Sequence, residues 1–231
     1  MESTQSTQSK TMGAAVVAAV VALAIGLVIG YGVWHKKDNQ TTSNNTTVSS
    51  STKAADLRAT LVSLGTQHQE LAHKAVDAAL DGSPDADAAK AQLIQNGKDI
   101  SDAVGSIYGQ AAGQKFDDIW NVHLVDFVKY AVAAKGGDEA GKAAAAQDID
   151  TNYTKPISML LASANPNLPE KTVESLFREH IDMTAQAVDD HVKGDYAAEQ
   201  ALIVQSSAHI KDIMSALAGA IVKQYPAKFQ G

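Results

Sequence analysis

The stretches FDDIWNVHLVDFVKYAVAAKGGD, residues 116–138, and VESLFREHIDMTAQAVDDHVKGD, residues 173–195, decide the fold of this chain. Each has apolar residues seven and four positions before a histidine, His123 or His180, and each ends in Gly-Asp, with the Asp fifteen residues after that histidine. Positions −7, −4 and 0 share one face of a helix. The pattern therefore predicts two helices whose core-facing stripe includes a histidine.

The same register occurs three times along the chain. The first copy has one residue fewer in its turn, and in each copy a polar residue follows the histidine 28 or 29 positions later. The pairs are His68 with Asn96, His123 with Asn152, and His180 with His209. This spacing predicts three repeated helical hairpins, each with one polar side chain per helix at a common height.

Gly and Pro punctuation divides the chain from residue 54 onward into six helical segments, and no segment alternates with the period of a strand. Pro156 is expected to kink the fourth segment. The predicted fold class is all-α, an N-terminal transmembrane helix followed by a six-helix bundle. The predicted regions are a polar N-terminus at 1–12, an anchor at 13–34, a flexible Ser/Thr/Asn-rich tether at 35–53 and the helical domain at 54–231.

Residues 13–34, GAAVVAAVVALAIGLVIGYGVW, have no charged side chain. A helix of this length extends about 33 Å, enough to cross a hydrocarbon core of about 30 Å. A cleaved signal peptide is the alternative, but its apolar region would be shorter and an Ala-x-Ala site would follow. Tyr31 and Trp34 suit a membrane interface. We therefore expect an uncleaved single-pass anchor in the cell membrane.

Two features of the sequence, the lysines beside the span and the polar stretch after it, favour opposite orientations of this anchor in the membrane. Lys36 and Lys37 follow the span and only Lys10 precedes it closely, which favours a domain inside the cell. Residues 39–52 are nearly all Asn, Gln, Thr and Ser, a polar stalk that holds a domain away from a surface. We favour the extracytoplasmic orientation on the basis of the stalk.

A stripe of small residues runs along the anchor at every fourth position. Its members are Ala14, Ala18, Ala22, Gly26 and Gly30. Such a stripe lets two helices approach closely, so it predicts a homodimer within the bilayer. The alternative is that an Ala-rich span produces the stripe by composition alone.

Composition excludes several functional classes. The chain has no cysteine, which rules out disulfides, thiolate metal sites and a cysteine nucleophile. Its net charge of −7 argues against nucleic acid as a partner. The chain has one Glu-x-x-His, at residues 70–73, whereas a di-iron bundle needs two of them and two further helical glutamates. No catalytic motif or catalytic residue is identified, so an enzyme is not the favoured class.

The polar layer has two interpretations. Imidazoles and carboxamides buried at one height can satisfy each other and order the core. Converging neutral imidazoles also suit a late first-row metal ion such as zinc or copper. The candidate metal ligands are His68, His123, His180 and His209, and their candidate hydrogen-bonding partners are Asn96, Asn152, Asp126 and Asp212.

Several phrases resemble an uncharacterised family of bacterial secreted or membrane-anchored helical proteins with repeated helix histidines. They are Ser83-Pro84-Asp85 with AAKAQLIQNGKDISDAVGSIYG after it, ASANPNLP at 162–169, LFREHIDMTAQAV at 176–188 and IVKQYPAKF at 221–229. The resemblance covers about residues 57–229 and implies a helical fold but no activity. Arg-Glu-His, typical of that family, is complete here only at Arg178-Glu179-His180.

Together these patterns predict a membrane-anchored, extracytoplasmic helical binding module, with the histidine layer as a candidate metal site. The alternative is a structural or protein-interaction domain whose His/Asn layer only orders the core.

Overall fold

The computed structural model describes residues 52–230, and this part of the chain is helical throughout, with no strand. The helices are α1 Lys53–Asp81, α2 Ala86–Tyr108, α3 Gln110–Gly136, α4 Glu139–Ile149, α5 Lys155–Ala164, α6 Glu170–Lys193 and α7 Tyr196–Gln224; a π-helical turn, Asp150–Thr154, joins α4 to α5, and a 3₁₀ turn, Pro226–Phe229, follows α7. The predicted anchor at 13–34, with its dimer stripe, lies outside the described residues. None of the helices within 52–230 is long and apolar enough to cross a membrane.

Glycine and aspartate set the turns at one end of the bundle. Gly82, Gly137 and Gly194 follow α1, α3 and α6 with φ of 67°, 68° and 75°, the left-handed conformation that glycine adopts without strain. The Asp after the second and third of these glycines caps the next helix. Asp138 accepts from the backbone N–H of Gly141, and Asp195 does so from Ala198. The Gly-Asp pairs of the sequence thus end one helix and begin the next.

Three helices form the inside of the bundle. α1, α3 and α6 contact one another pairwise, and each of the others lies between two of them. α2 packs on α1 and α3, the α4–α5 segment packs on α3 and α6, and α7 packs on α6 and α1. The contact of α7 with α1 closes the ring. Aromatic and branched side chains from inner and outer helices fill the core, among them Trp120, Tyr153, Phe177 and Ile210.

The fourth predicted segment is interrupted at its middle. The π-helical turn at Asp150–Thr154 ends two residues before Pro156, which occupies the second position of α5. Proline has no N–H, and its ring would collide with the carbonyl four residues earlier in a regular helix. The wider π turn avoids that collision and rotates the residues before the proline relative to a regular helix.

Two glycines permit a close approach of α2 and α3. A Cβ atom at Gly113 would lie 2.8 Å from the backbone oxygen of Ser101 and 2.9 Å from Cα of Gly105. Because both neighbours are backbone atoms, they cannot move aside as a flexible side chain can. Gly219 on α7 is also helical, but a Cβ there would meet nothing within 4 Å.

We predict that Gly113→Ala lowers the free energy of unfolding by about 1–3 kcal/mol, because the added methyl group separates α2 from α3. Gly219→Ala is the matched control. It should raise stability by about 0.5–1 kcal/mol through helix propensity alone. Urea denaturation of both variants measures the difference. Equal effects of the two substitutions would contradict the close helix approach.

Candidate functional site

The three inner helices bring three of the predicted histidines together. His68 on α1, His123 on α3 and His180 on α6 are all buried, with 3%, 4% and 7% of their surface exposed. The ring centroids of His68 and His123 are 5.6 Å apart. His209 on α7 is half-buried, and its ring centroid is 6.5 Å from that of His180. We call these four residues the histidine layer.

Carbonyl oxygens fix the tautomers of three of these rings. His68 donates from Nδ1 to Oδ1 of Asn96 at 3.1 Å, and His209 donates from Nε2 to the backbone oxygen of Leu176 at 3.0 Å. His123 donates from Nδ1 to the backbone oxygen of Trp120. A carbonyl oxygen can only accept, so the bonded ring nitrogen carries the proton. In the neutral rings of His68 and His123 the other nitrogen then has a free lone pair.

Burial lowers the pKa of three of the layer histidines, His68, His123 and His180. It lowers the pKa of His68 to about 4, against the opposing effect of the Asn96 hydrogen bond, and that of His180 to about 3, with a further contribution from neighbouring histidines. The pKa of His123 is also well below its ordinary value, chiefly because of burial. Nδ1 of His180 is buried and has no hydrogen-bond partner among residues 52–230.

Aromatic rings surround the layer. The ring of His123 stacks on that of Tyr153, with centroids 4.2 Å apart, and the ring of His68 meets the edge of Trp120 at 4.8 Å. Both partners are nearly fully buried. Their contacts fill space beside the imidazoles with apolar surface, which accounts for the low pKa values.

Three of the expected partners of the layer differ from prediction. Asn152 is exposed, because the π-helical turn places Tyr153 instead in the core beside His123. Asp212 is exposed as well, because Ile213 and Met214 occupy the core-facing side of that turn. Asp126 is buried but forms a 2.7 Å ion pair with Lys129. Of the four predicted partners, Asn96 alone bonds a layer histidine among the described residues.

A neighbouring polar cluster extends from the layer to the contact between α1 and α7. Gln69 is fully buried, donates to Oγ of Ser206 at 2.7 Å and contacts Nε2 of His73. Burial lowers the pKa of His73 to about 4. The sequence places His73 off the stripe of His68, but it is buried all the same because α7 covers that side of α1.

A second group of side chains, which sequence reasoning missed, lies at the turn end of the same α1–α7 contact. His191 in the last turn of α6 has its Nδ1 3.0 Å from Oε1 of Glu199 and 3.5 Å from Oδ1 of Asp77. Its Nε2 lies 3.2 Å from Oδ1 of Asp81. His191 and Glu199 are buried, whereas the Asp77 side chain is 30% exposed. We call Asp77, His191 and Glu199 the carboxylate–imidazole site, with Asp81 at its edge.

Negative charge is in excess at this site. Burial and the nearby Glu199 carboxylate raise the pKa of Asp77 to about 6. Burial opposes protonation of His191, but hydrogen bonds to Asp81 and Glu199 and the charge of Asp77 outweigh it and raise its pKa. In the part of the chain that the structure describes, no lysine or arginine pairs with these three carboxylates. One imidazole therefore faces three acidic groups.

The spacing at the carboxylate–imidazole site suits a metal ion. Its three ligand atoms all lie within 4.8 Å of one another, and within residues 52–230 no other set of three or more His, Asp or Glu side chains does so, the histidine layer included. Two ligands bound at about 2.1 Å to a tetrahedral ion are separated by about 3.4 Å. The observed separations of 3.0 and 3.5 Å from Nδ1 of His191 are close to that value.

The residues of this site carried a weak signal in the sequence. His191 near the end of a helix predicts only an interaction with the helix dipole. Asp77 and Glu199 are 122 positions apart, and their proximity depends on the closing contact of α7 with α1. No family model, curated protein or solved structure matches this chain.

We predict that the buried imidazoles make the domain sensitive to acid. A histidine whose folded pKa lies below its unfolded value of 6.5 contributes stability that is lost as the pH falls from about 6.5. His180, with a folded pKa of about 3, should contribute a slope of about 1.4 kcal/mol per pH unit between pH 6 and pH 4. His180→Gln should remove that slope, measured by urea denaturation at pH 6, 5 and 4. An unchanged slope would show that His180 is protonated in the folded state.

Proposed function

We propose that this chain is a membrane-anchored helical module that binds a divalent metal ion between its first and last helices. The observation that supports this proposal most directly is that Asp77, His191 and Glu199 converge, with ligand atoms at separations suitable for a metal ion. The site has an excess of negative charge at a largely buried place, and no lysine or arginine within residues 52–230 pairs with it, which supports a cationic ligand. Metal binding is thus assigned to this site instead of the histidine layer.

The rest of the proposal comes from sequence. The anchor at 13–34 would hold the module at the cell membrane in an extracytoplasmic orientation, with its stripe of small residues as a contact for a second copy. The tether up to residue 53 would let the helical domain reach a diffusible ion on that side. The three-hairpin repeat underlies the architecture of the domain, since its inner helices each supply one layer histidine.

A second function, in which the layer only orders the core, concerns the histidines alone. His68, His123 and His209 each donate to a carbonyl oxygen within the bundle. These bonds, together with stacking on Tyr153, support a structural role. A register-fixing layer and a metal site at the turn end can both be present in one domain.

We predict that Zn²⁺ binds the purified full-length chain with one ion per chain, measured by isothermal titration calorimetry. Glu199→Gln and His191→Gln should each weaken binding by at least 100-fold. Even the loss of a side chain that only hydrogen-bonds to a metal ligand weakens binding by about 10–100-fold. His209→Gln is the matched control and should bind as the native chain does. Equal losses in all three variants would place the ion elsewhere, and no binding to the native chain would refute the function.

The affinity for Zn²⁺ should rise with pH between 5.5 and 7.5. Asp77 has a pKa of about 6 and His191 has a raised pKa, so each must release a proton before it can bind the ion. Calorimetry in buffers of different ionisation enthalpy should therefore detect proton release at pH 6. An affinity independent of pH would contradict coordination by these two groups.

A further inference from the structure

The repeated register allows one contact between helices to be compared with another. We count positions from the layer histidine of an inner helix. From His123 and from His180, position +9 lies on the same inner helix, and position +19 lies in the first turn of the next outer helix. Lys142 is at +19 from His123 and forms a 2.8 Å ion pair with Asp189, which is at +9 from His180. This ion pair joins α4 to α6. We call it the α4–α6 seam.

The corresponding α7–α1 seam has the opposite charge at one position. Glu199 is at +19 from His180, and Asp77 is at +9 from His68. A carboxylate therefore stands where the first seam has an ammonium group, while the aspartate opposite is retained. The two carboxylates and Nδ1 of His191 have ligand atoms within 4.8 Å of one another.

Two further positions complete the difference between the seams. His191 is at +11 and corresponds to Ala134, and Ala187 is at +7 and corresponds to Tyr130. In the α4–α6 seam, Tyr130 donates its hydroxyl to Asp189 at 3.2 Å and lies beneath the Lys142 ammonium. In the α7–α1 seam an alanine and a histidine stand at the two positions that a tyrosine and an alanine hold in the other seam. The third repeat thus has a His-Glu pair opposite Asp77 where the second repeat has a Tyr-Lys pair opposite Asp189.

Resting on the proposed metal-binding function, we infer that the ion replaces the missing ammonium group, so that a divalent cation closes the α7–α1 seam and regulates how tightly the last hairpin packs on α1. Without the ion, Asp77, Asp81 and Glu199 repel one another around one imidazole. With it, two carboxylates and an imidazole are drawn to a common centre. The α4–α6 seam needs no ion, because Lys142 supplies the positive charge within the chain.

The ligand set limits the class of cation. Ca²⁺ and Mg²⁺ prefer ligand sets made of oxygen, whereas an imidazole nitrogen is central here. Imidazole suits zinc, ferrous iron and related ions, and mixed carboxylate and imidazole ligands are usual for zinc. The site is thus assigned to a borderline divalent ion, for which Zn²⁺ is the probe.

Glu199→Lys in the full-length chain tests whether the ion replaces an ammonium group. The lysine should pair with Asp77 as Lys142 pairs with Asp189, raise the Tm of the metal-free protein by about 2–4 °C and abolish the Tm increase caused by Zn²⁺. Because a lysine at this buried position can perturb folding, Glu199→Gln serves as a second variant. It removes the repulsion without adding length and should also raise the metal-free Tm. A lower metal-free Tm in both variants would overturn the inference.

A transplant of the three differing residues tests the seam comparison. The variant Tyr130→Ala, Ala134→His, Lys142→Glu gives the α4–α6 seam the ligands of the α7–α1 seam. It should bind two Zn²⁺ ions per chain, and hydrogen exchange should slow at both seams when Zn²⁺ is added. In the native chain, exchange should slow only at Asp77–Asp81 and at the first turn of α7.

The outcomes separate the inference from the function on which it rests. A native chain that binds no Zn²⁺ refutes the proposed function. Three results together refute ion-controlled closure alone. The native chain binds one ion, the folded transplant variant also binds only one, and hydrogen exchange does not slow at the α7–α1 seam. Circular dichroism of the transplant variant shows that it is folded, and Lys142→Glu alone should lower the Tm without adding a site.

Discussion

Imidazole rings buried where α1, α3 and α6 meet constrain the whole bundle. An imidazole in this apolar surrounding must stay neutral, and its N–H must find an acceptor inside the protein. Asn96 and the carbonyl oxygen of Trp120 meet that need for His68 and His123, and the half-buried His209 donates to the carbonyl oxygen of Leu176. The His123 bond lies within α3, whereas the other two bonds join helices, so a shift of α1 against α2 or of α7 against α6 would break one of them. These two bonds thereby fix the height of α1 relative to α2 and of α7 relative to α6.

The repeated register determines which side chains meet at the turn end. Nine residues beyond the layer, about two and a half turns, the inner helices present Asp77 and Asp189 to the first turns of the outer helices. One aspartate meets Lys142 and the other meets Glu199. The same geometry thus produces a salt bridge in one seam and an excess of negative charge in the other. The carboxylate–imidazole site follows from the second case.

Much of the helical part was predictable from local chemistry. Gly-Asp pairs mark both a helix end and the next helix start, as Gly137-Asp138 and Gly194-Asp195 do in the structure. Repeat counting likewise predicts the burial of His68, His123 and His180. Asn152 was misplaced because the π-helical turn before Pro156 changes the register of a regular helix, and pattern counting assumes a regular helix.

The carboxylate–imidazole site could not be predicted from the sequence, because it depends on the contact of α7 with α1 that closes the ring of helices. Nothing local to Asp77 or Glu199 indicates that α7 returns to α1. The most direct test of metal binding is an anomalous difference map measured at the zinc edge from crystals of the protein grown with Zn²⁺. Binding at the carboxylate–imidazole site predicts one peak bounded by Asp77, His191 and Glu199. A peak among the layer histidines, or no peak at either place, would contradict it.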